Sequence, residues 1–415
     1  MNRFLSDLRS GAWLTPERMK LWAPLFAGVS ILLLGFDFWT HTRFGLVDGK
    51  GEQVGRDFVN YWAGARLALH GRADMAYDLR RFLAYERGLT APNAEVKWYG
   101  YPPVAMLLAA PFGALPFLPA LAAWTLSAWA VLSRMLAPRM GLFFAACALM
   151  ATPAFYENAL SGQNGAFSAV LLAGGLLLLD ERPLLAGVLF GLLCYKPQLG
   201  VLIPVALIAS GRWRTAFAAG GAIALLVGAS MLQVGVQPWV EFLHNAPLHR
   251  QILETQTGIW QRMPVVYLSL RWFGAPNALA YAAQGLSALL AATAVFQVWR
   301  GPARVALKGA SLLIATFLAT PYAWDYDMVV LLFAAAWYWG EAEASGWRDW
   351  EKTALALMVV SPWFLPALAK YAHLQLGPAV LWLMLGLTLA RVRAQARLAQ
   401  VDIAVTGSLA DTQLG

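Results

Sequence analysis

The sequence predicts an all-α polytopic membrane protein, a helical bundle whose chain crosses a lipid bilayer about twelve times. Hydrophobic residues make up 59% of its 415 residues and charged residues only 13%, and the mean hydropathy is +0.55. A soluble domain normally carries about 25% charged residues. A chain this poor in charge cannot cover a water-facing surface, so lipid must be its solvent for much of its length.

The apolar runs give the candidate spans in chain order. A helix needs about 20 apolar residues to cross a bilayer, within a range of about 17 to 25. The clear candidates are residues 21–39, 119–137, 163–179, 215–236, 278–299, 305–320 and 353–369. Shorter or interrupted candidates are residues 141–158, 183–195, 198–210, 327–340 and 378–391.

The placement of the basic residues predicts the orientation. A net charge of +8 could indicate nucleic-acid binding, but Lys and Arg stand in short clusters between apolar runs, the pattern that orients membrane proteins. If the N-terminus is cytoplasmic, most basic residues of the short loops also lie on the cytoplasmic side. Beyond the first long loop, the exceptions are Lys196, Arg250, Arg262, Arg271 and Lys370. We therefore expect an inner (plasma) membrane protein with both termini cytoplasmic.

Residues 1–398 are predicted to form a single integral-membrane domain, followed by a disordered cytoplasmic tail over residues 399–415. Two segments on the predicted periplasmic side, residues 40–118 and 237–277, are too long to be simple connections. Both are rich in aromatic residues. Because Trp and Tyr favour headgroup depth, we expect interfacial helices in these loops.

The sequence lacks the motifs of several classes of functional site. The sequence has no Walker-type loop, no dinucleotide fingerprint after a strand and no nucleophile elbow. Cys147 and Cys194 lie inside apolar runs, and His244 and His249 lack the spacing of a two-histidine zinc face. The sequence therefore predicts neither a disulfide framework nor a metal site.

The first long loop contains a candidate catalytic carboxylate. Apolar and aromatic residues at helical spacing predict an amphipathic interface helix: Phe58, Tyr61, Trp62, Ala65 and Leu69. Asp57 stands immediately before this helix. It can act as an N-cap, as a general base held at the membrane surface, or as both.

Three polar insertions lie at the predicted outer ends of spans, at residues 156–164, 195–198 and 320–327. Ionisable residues at membrane depth are costly and indicate function. Lys196 precedes a helix-breaking proline and is suited either to a substrate phosphate or to a lipid headgroup. Asp325 and Asp327 are candidates for catalysis or for helix capping. In the second long loop, Arg262 and Arg271 are candidates for binding anions.

These candidates favour an enzyme that works on the outer face with a substrate delivered by the membrane. Because nucleotide-sugars are available inside, such an enzyme would need an activated donor delivered by the membrane, for example a polyprenyl-phosphate sugar. The residues allow this donor but do not single it out. A carboxylate would deprotonate an acceptor hydroxyl, and cations would stabilise the departing lipid phosphate.

The same residues carry a resemblance to a known family. The chain resembles glycosyltransferase family 87, which includes mycobacterial mannosyltransferases of phosphatidylinositol mannoside synthesis. The matching landmarks are Asp57-Phe58, Tyr61-Trp62, Gly71, Tyr77-Asp78, Tyr101-Pro102-Pro103, Gly162-Gln163-Asn164, Ala186-Gly187, Gly191, Lys196-Pro197, Thr320-Pro321 and Trp324. The resemblance implies a GT-C fold and inverting, metal-independent transfer from a polyprenyl-phosphate-linked sugar. It matches Asp57 to the catalytic aspartate and puts Lys196 where a basic residue can meet the donor phosphate.

One departure from the family concerns the late motif. Relatives often carry a histidine shortly after the tryptophan, whereas this chain has Asp325-Tyr326-Asp327 after Trp324. Either aspartate could take a related part. The departure leaves the sugar open between a hexose such as mannose and a pentose.

We therefore expect a glycosyltransferase that moves a single sugar to a lipid or glycan acceptor at the periplasmic face. The catalytic candidates are Asp57, Asp325 and Asp327. The candidates for binding donor phosphate and sugar are Arg56, Lys196, Gln163, Asn164, Arg262, Tyr61 and Trp324. No metal, other cofactor or nucleic acid is expected.

Two other functions remain open. One is a transporter or flippase of lipid-linked glycans, which would want charges at mid-membrane depth. Asp37, the only acid well inside a clear span, lies near the outer end of that span. The other is a non-catalytic membrane subunit of a polysaccharide assembly complex.

Overall fold

The computed structural model describes residues 3–43, 45–95 and 98–412, with side chains described as far as residue 397. Within these residues the predicted all-α class is confirmed, and an isolated antiparallel bridge joins Val47 to Gln53. The α-helices are α1 (Arg3–Ser10), α2 (Pro16–Thr42), α3 (Phe58–Leu69), α4 (Leu79–Leu89), α5 (Val104–Gly113), α6 (Phe117–Met140), α7 (Leu142–Ala151), α8 (Pro153–Leu160), α9 (Gly165–Leu178), α10 (Pro183–Leu192), α11 (Ile203–Ala209), α12 (Trp213–Val234), α13 (Gln237–His244), α14 (Ala246–Thr255), α15 (Val266–Trp272), α16 (Asn277–Arg300), α17 (Val305–Ala319), α18 (Leu331–Ser345), α19 (Glu351–Ala372) and α20 (Gly377–Thr412). Short 3₁₀ helices cover Ala73–Tyr77, Leu193–Tyr195, Pro197–Leu199, Thr257–Arg262 and Asp325–Val330.

Six of the described helices are long and apolar enough to cross a membrane. They are α2, α6, α12, α16, α19 and residues 377–397 of α20. Each overlaps a predicted span. The predicted spans at 163–179 and 305–320 form α9 and α17, which have only 14 and 15 residues. Because a span needs about 20 residues, the number of twelve crossings stays a prediction.

The long helices and the short apolar helices differ in burial. Leu32 on α2 and Leu225 and Leu232 on α12 are among many apolar side chains that are largely exposed. Continuous exposed apolar surface of this kind marks contact with membrane. In contrast, every residue of α17 from Gly309 to Ala319 is buried. The outer helices thus present the apolar surface, and α17 forms the centre of the bundle.

Glycines in the predicted family motif let two helices approach closely. A Cβ atom at Gly187 would lie 2.4 Å from the backbone oxygen of Thr215, and one at Gly191 would lie 2.6 Å from that of Ala219. Small residues allow such close approach between membrane helices. These glycines therefore join α10 to α12.

The first long loop folds onto the bundle. The predicted helix after Asp57 is confirmed as α3, but its side chains are buried on almost every face. Its description as a surface-lying amphipathic helix is wrong, because α5 and α6 cover it. Trp62 packs edge-on against Phe117 of α6, with ring centroids 5.1 Å apart. A Cβ atom at Gly113 of α5 would lie 2.7 Å from that of Ala65.

The two ends of α19 meet different parts of the molecule. At its start, the Trp350 N–H donates to the Arg9 carbonyl at 2.7 Å, and Glu351 pairs with Arg391 of α20. Near its other end, Lys370 borders a cavity together with Arg262 and Asp325. A helix of 22 residues is about 33 Å long, close to the thickness of a bilayer core. Arg9 and Arg391 thus lie at the start of α19, whereas Arg262 and Asp325 lie near its other end.

The backbone of the last helix is helical through Thr412. The predicted disorder of residues 399–415 stays a prediction. Residues 413–415 lie outside the described residues.

Candidate active site

Asp57 stands at the start of α3 with its carboxylate turned toward the bundle. The side chain makes no capping hydrogen bond, although the residue occupies the N-cap position. Its Oδ2 instead accepts a 2.7 Å hydrogen bond from Gln163 Nε2. The predicted capping bond is therefore absent, and the carboxylate takes part in a polar cluster.

The backbone before α3 makes a sharp turn that positions this carboxylate. Gly55 and Gly162 have φ angles of +66° and +56°, which favour glycine. A Cβ atom at Gly162 would lie 2.4 Å from Phe58 Cβ. The Asp57 N–H donates to the Ser161 carbonyl at 3.1 Å. The glycine of the Gly-Gln-Asn motif thus lets the loop before α9 lie directly against α3.

Gln163 is oriented by two tyrosines. The Tyr61 hydroxyl donates to Gln163 Oε1 at 2.5 Å, and it lies 2.6 Å from the Tyr101 hydroxyl. Burial raises the pKa of Tyr61 well above its usual value, so its hydroxyl keeps the proton that it donates. Since Oε1 is the acceptor for Tyr61, the NH₂ group of Gln163 faces Asp57. Trp124 Nε1 also donates to the Gln163 backbone oxygen at 3.0 Å.

Lys196 lies in a second part of the same cluster. Its side chain is 1% exposed, and Nζ donates to Asp327 Oδ1 at 2.5 Å and to Asn164 Oδ1 at 3.0 Å. The ammonium also lies 5.1 Å from the ring centre of Tyr326. Helix α10 ends before Lys196 because Pro197 cannot continue it. The lysine predicted at a broken helix is thus a buried, paired cation.

Both late aspartates also bind backbone groups. Asp327 Oδ2 accepts the backbone N–H of Trp324, the N-cap residue of the 3₁₀ helix Asp325–Val330, at 3.1 Å. Asp325 Oδ1 accepts the Tyr326 N–H at 2.8 Å. Asp327 thus accepts a backbone N–H at the start of this 3₁₀ helix, but it is not the N-cap of the following span, whose N-cap is Val330. Its other oxygen is the partner of Lys196.

Arg262 and Asp325 form a separate ion pair. Arg262 Nε and Nη2 donate to the two Asp325 oxygens at 2.8 and 3.0 Å, and Nη2 also donates to Glu157 at 2.8 Å. Burial raises the pKa of Asp325 to about 6, and the positive charge of Arg262 opposes this shift. The pair borders a cavity of about 270 Å³ whose wall includes Trp363 and Lys370 of α19.

Arg56 is directed away from Asp57. Its guanidinium donates to Glu52 at 2.8 Å, to Asp37 at 3.0 Å and to the Leu160 carbonyl at 3.0 Å. Its φ angle of +39° is unusual for a residue with a side chain. This predicted phosphate binder is therefore engaged by two carboxylates and a carbonyl.

The predicted site residues thus fall into three groups. One cluster holds Asp57, Tyr61, Gln163, Asn164, Lys196 and Asp327, with Trp324 stacked on Tyr326 at its edge, at a centroid distance of 5.6 Å. Gln163 and Asn164 join its two halves because they are consecutive. Arg262 with Asp325, and Arg56, lie in the other two groups. Tyr101, Tyr326 and Glu157 were not predicted as site residues, although each lies in a motif or polar insertion noted from the sequence.

An apolar cavity of about 170 Å³ adjoins the first cluster. Its polar walls include Tyr61 and Asn164. The remaining wall is formed by Ala105, Leu108, Ala109, Phe112, Trp124, Phe167, Val170, Leu171, Leu192 and Tyr195. Hydrocarbon can occupy such a space while a polar group reaches the cluster.

Comparison with models of known protein families identified a family. The model of glycosyltransferase family 87 matches residues 98–321, slightly more than half of the chain. This range includes Gln163, Asn164, Lys196 and Arg262, and it ends before Asp325 and Asp327. Neither the curated proteins nor the solved structures contain a match.

Proposed function

The chain belongs to glycosyltransferase family 87, and we propose that this membrane glycosyltransferase moves a single sugar from a polyprenyl-phosphate donor to a lipid or glycan acceptor, with Asp57 as the general base. One observation carries the proposal. Asp57 is bound to Gln163, whose other partner Tyr61 lines an apolar cavity. A carboxylate, a polar cluster and space for hydrocarbon are thus adjacent, as a lipid-linked donor requires.

The proposed reaction is a single displacement with inversion. Asp57 takes the proton of the acceptor hydroxyl, and the acceptor oxygen forms a bond to the anomeric carbon. The bond from that carbon to the phosphate oxygen breaks, and polyprenyl phosphate leaves with the electron pair. General-base catalysis contributes about 10²- to 10⁴-fold in such steps.

Lys196 is the proposed contact for the donor phosphate. Two of its N–H groups donate to Asn164 and Asp327, so a third is available to an oxygen of the leaving phosphate. A positive charge held in a buried site stabilises charge that develops in the transition state. We propose that this charge suffices and that transfer needs no metal or other cofactor. Trp324 is proposed to contact the sugar, and Arg262 is proposed to bind a further anionic group.

The site is proposed to face the periplasm, with both termini cytoplasmic. The opposite ends of α19 support this orientation, since the N-terminal helix meets one end and the Arg262–Asp325 pair lies near the other. A variant with Cys147 and Cys194 replaced by alanine allows a direct test. Lys50→Cys should react with a membrane-impermeant maleimide in intact cells, whereas Arg214→Cys should react only after lysis. The reverse pattern would refute the orientation.

The activity is tested with protein in lipid nanodiscs, where no gradient exists. Synthetic polyprenyl-phosphate hexoses and pentoses are offered with lipid and glycan acceptors, and products are identified by mass spectrometry. We expect a new glycosidic bond with one sugar class and inverted anomeric configuration. A purified protein that moves a lipid-linked glycan across a vesicle membrane without forming that bond would instead be a transporter.

A further inference from the structure

A histidine and two carboxylates converge where α2 ends, outside the cluster around Asp57. Ligand atoms of His41, Asp48 and Glu52 all lie within 4.8 Å of one another. We propose that these three residues form a binding site for a divalent transition-metal ion of the Zn²⁺ class. The ion would join the end of α2 to the turn that leads into α3.

The imidazole of His41 is poised as a ligand. Its Nδ1 lies 2.8 Å from the backbone carbonyl oxygen of Asp37, and a carbonyl can only accept, so Nδ1 carries the hydrogen. In this tautomer Nε2 holds a lone pair. The residue is 7% exposed, and its Nε2 is buried without a hydrogen-bond partner. A metal-bound histidine typically donates its other ring N–H to a carbonyl or a carboxylate in this way.

Two carboxylate oxygens face this lone pair. His41 Nε2 lies 3.6 Å from Glu52 Oε2 and 3.8 Å from Asp48 Oδ2. Three acceptor atoms pointing at one another repel unless a metal cation lies between them or Nε2 carries a proton. Tetrahedral ligands with bonds of about 2.0–2.2 Å stand about 3.3–3.6 Å apart. The two distances from Nε2 are near this spacing, and the carboxylate oxygens lie within 4.8 Å of each other, so a small inward movement of the side chains would let them bind an ion.

Both carboxylates are oriented by other groups. Asp48 Oδ1 accepts the N–H groups of Lys50 and Glu52 at 2.8 and 2.9 Å, which turns Oδ2 toward His41. Glu52 Oε1 accepts from Arg56 at 2.8 Å, which leaves Oε2 for the ion. An imidazole with two carboxylates suits Zn²⁺ and similar ions, whereas Mg²⁺ and Ca²⁺ prefer oxygen ligands alone.

The ion would act by positioning rather than by chemistry. Glu52 links the three ligands to Arg56, the residue before Asp57. The ion takes no part in the proposed transfer step, so this inference is independent of the proposal that transfer needs no metal. The competing arrangement is a protonated His41 paired with both carboxylates and no metal.

Metal binding is tested on purified, chelator-treated full-length protein. Co²⁺ is titrated while visible d–d absorption is recorded, and bound Zn²⁺ is counted by mass spectrometry after dialysis. We expect one ion per chain and intense absorption typical of low coordination number. Asp48→Asn and Glu52→Gln should each weaken binding by roughly tenfold or more. Asp48→Asn keeps a side-chain oxygen for the turn, so it should preserve the fold.

His244 provides the matched control, because it stands 3.9 Å from Glu241 on an exposed helix face without a described third ligand. His244→Gln should bind the ion as the wild type does. Wild-type protein that shows no Co²⁺ band and no bound Zn²⁺ would overturn the proposal and support the protonated arrangement. Equal loss of binding in His244→Gln and Asp48→Asn would also overturn it.

Discussion

The side-chain amide of Gln163 donates a 2.7 Å hydrogen bond to Asp57 Oδ2, although 106 positions separate the two residues along the chain. The contact joins the residue before α3 to the loop before α9. Through Tyr61 and the adjacent Asn164, it also connects the proposed base with the apolar cavity and with Lys196.

Asp57→Asn should reduce sugar transfer by about 10²- to 10⁴-fold, because the amide cannot take the proton of the acceptor. Stability should change little, since the side-chain oxygen of asparagine can still accept the hydrogen bond from Gln163. Rates are measured with the synthetic donor, and folding is followed by thermal unfolding.

Asp78 is the control for this variant, because it caps α4 by accepting the N–H groups of Arg80 and Arg81. Asp78→Ala should cost about 1 kcal/mol of stability and leave turnover unchanged. A well-folded Asp57→Asn protein with wild-type turnover would remove the base assignment.

Gln163→Leu should lower kcat by roughly 10- to 150-fold with a smaller effect on KM. The substitution removes a hydrogen bond to a charged group, which is worth about 1.5–3 kcal/mol. Gln284→Leu is a matched control, since this buried glutamine donates to Leu318 and contacts no residue of the cluster. The control should lose stability but retain kcat. Equal kcat losses in the two variants would indicate a general packing effect.

Lys196→Met should destabilise the protein by about 3–5 kcal/mol, because it leaves Asp327 buried without its counter-charge. The double variant Lys196→Met/Asp327→Leu should recover much of that stability. If Lys196 binds the donor phosphate, the double variant stays inactive. Recovery of both stability and transfer would show that the pair is structural only.

Asp325 should stabilise the folded protein more at low pH than at neutral pH, which is the opposite of a carboxylate with a lowered pKa. Its pKa is raised to about 6 by burial, against about 4 in an unfolded chain, so the folded state holds the proton more tightly. The contribution of Asp325 to the free energy of unfolding is therefore fully present below about pH 4, and it is lost as the pH rises through about 6. The stability of wild type relative to Asp325→Asn should therefore fall between pH 4 and 7, by on the order of 3 kcal/mol. Unfolding in detergent at several pH values measures this difference.

Asp74 is the control for the pH experiment, since it pairs with Arg81 on an exposed surface. Wild type relative to Asp74→Asn should show little change over the same range. A flat profile for Asp325→Asn as well would contradict the raised pKa.

Leu171→Trp should fill part of the apolar cavity and raise KM for donors with long polyprenyl chains. Short-chain donors should be affected less, because they need less of this space. Leu225→Trp, on the exposed apolar face of α12, is the control. It should change neither the KM for long-chain donors nor the KM for short-chain donors. An unchanged KM for long-chain donors in Leu171→Trp would exclude the cavity as the lipid site.

The sequence by itself determined the helical membrane class, the positions of the long apolar helices among twelve predicted spans, and the helix after Asp57. These features depend on run length and spacing along a short segment, and such local patterns can be read without knowing the neighbours. The glycine of the Gly-Gln-Asn motif and the helix break at Lys196-Pro197 were visible for the same reason.

Only the tertiary structure decided which polar groups meet. Lys196 and Asp327 are 131 positions apart, and Arg262 and Asp325 are 63 apart. It also buried α3 under α5 and α6, turned Arg56 toward Asp37 and Glu52, and gathered His41 with two carboxylates. These pairings depend on how separate helices pack, because a side chain's partner is set by three-dimensional distance and burial. Local periodicity does not specify which residues from distant parts of the chain come together.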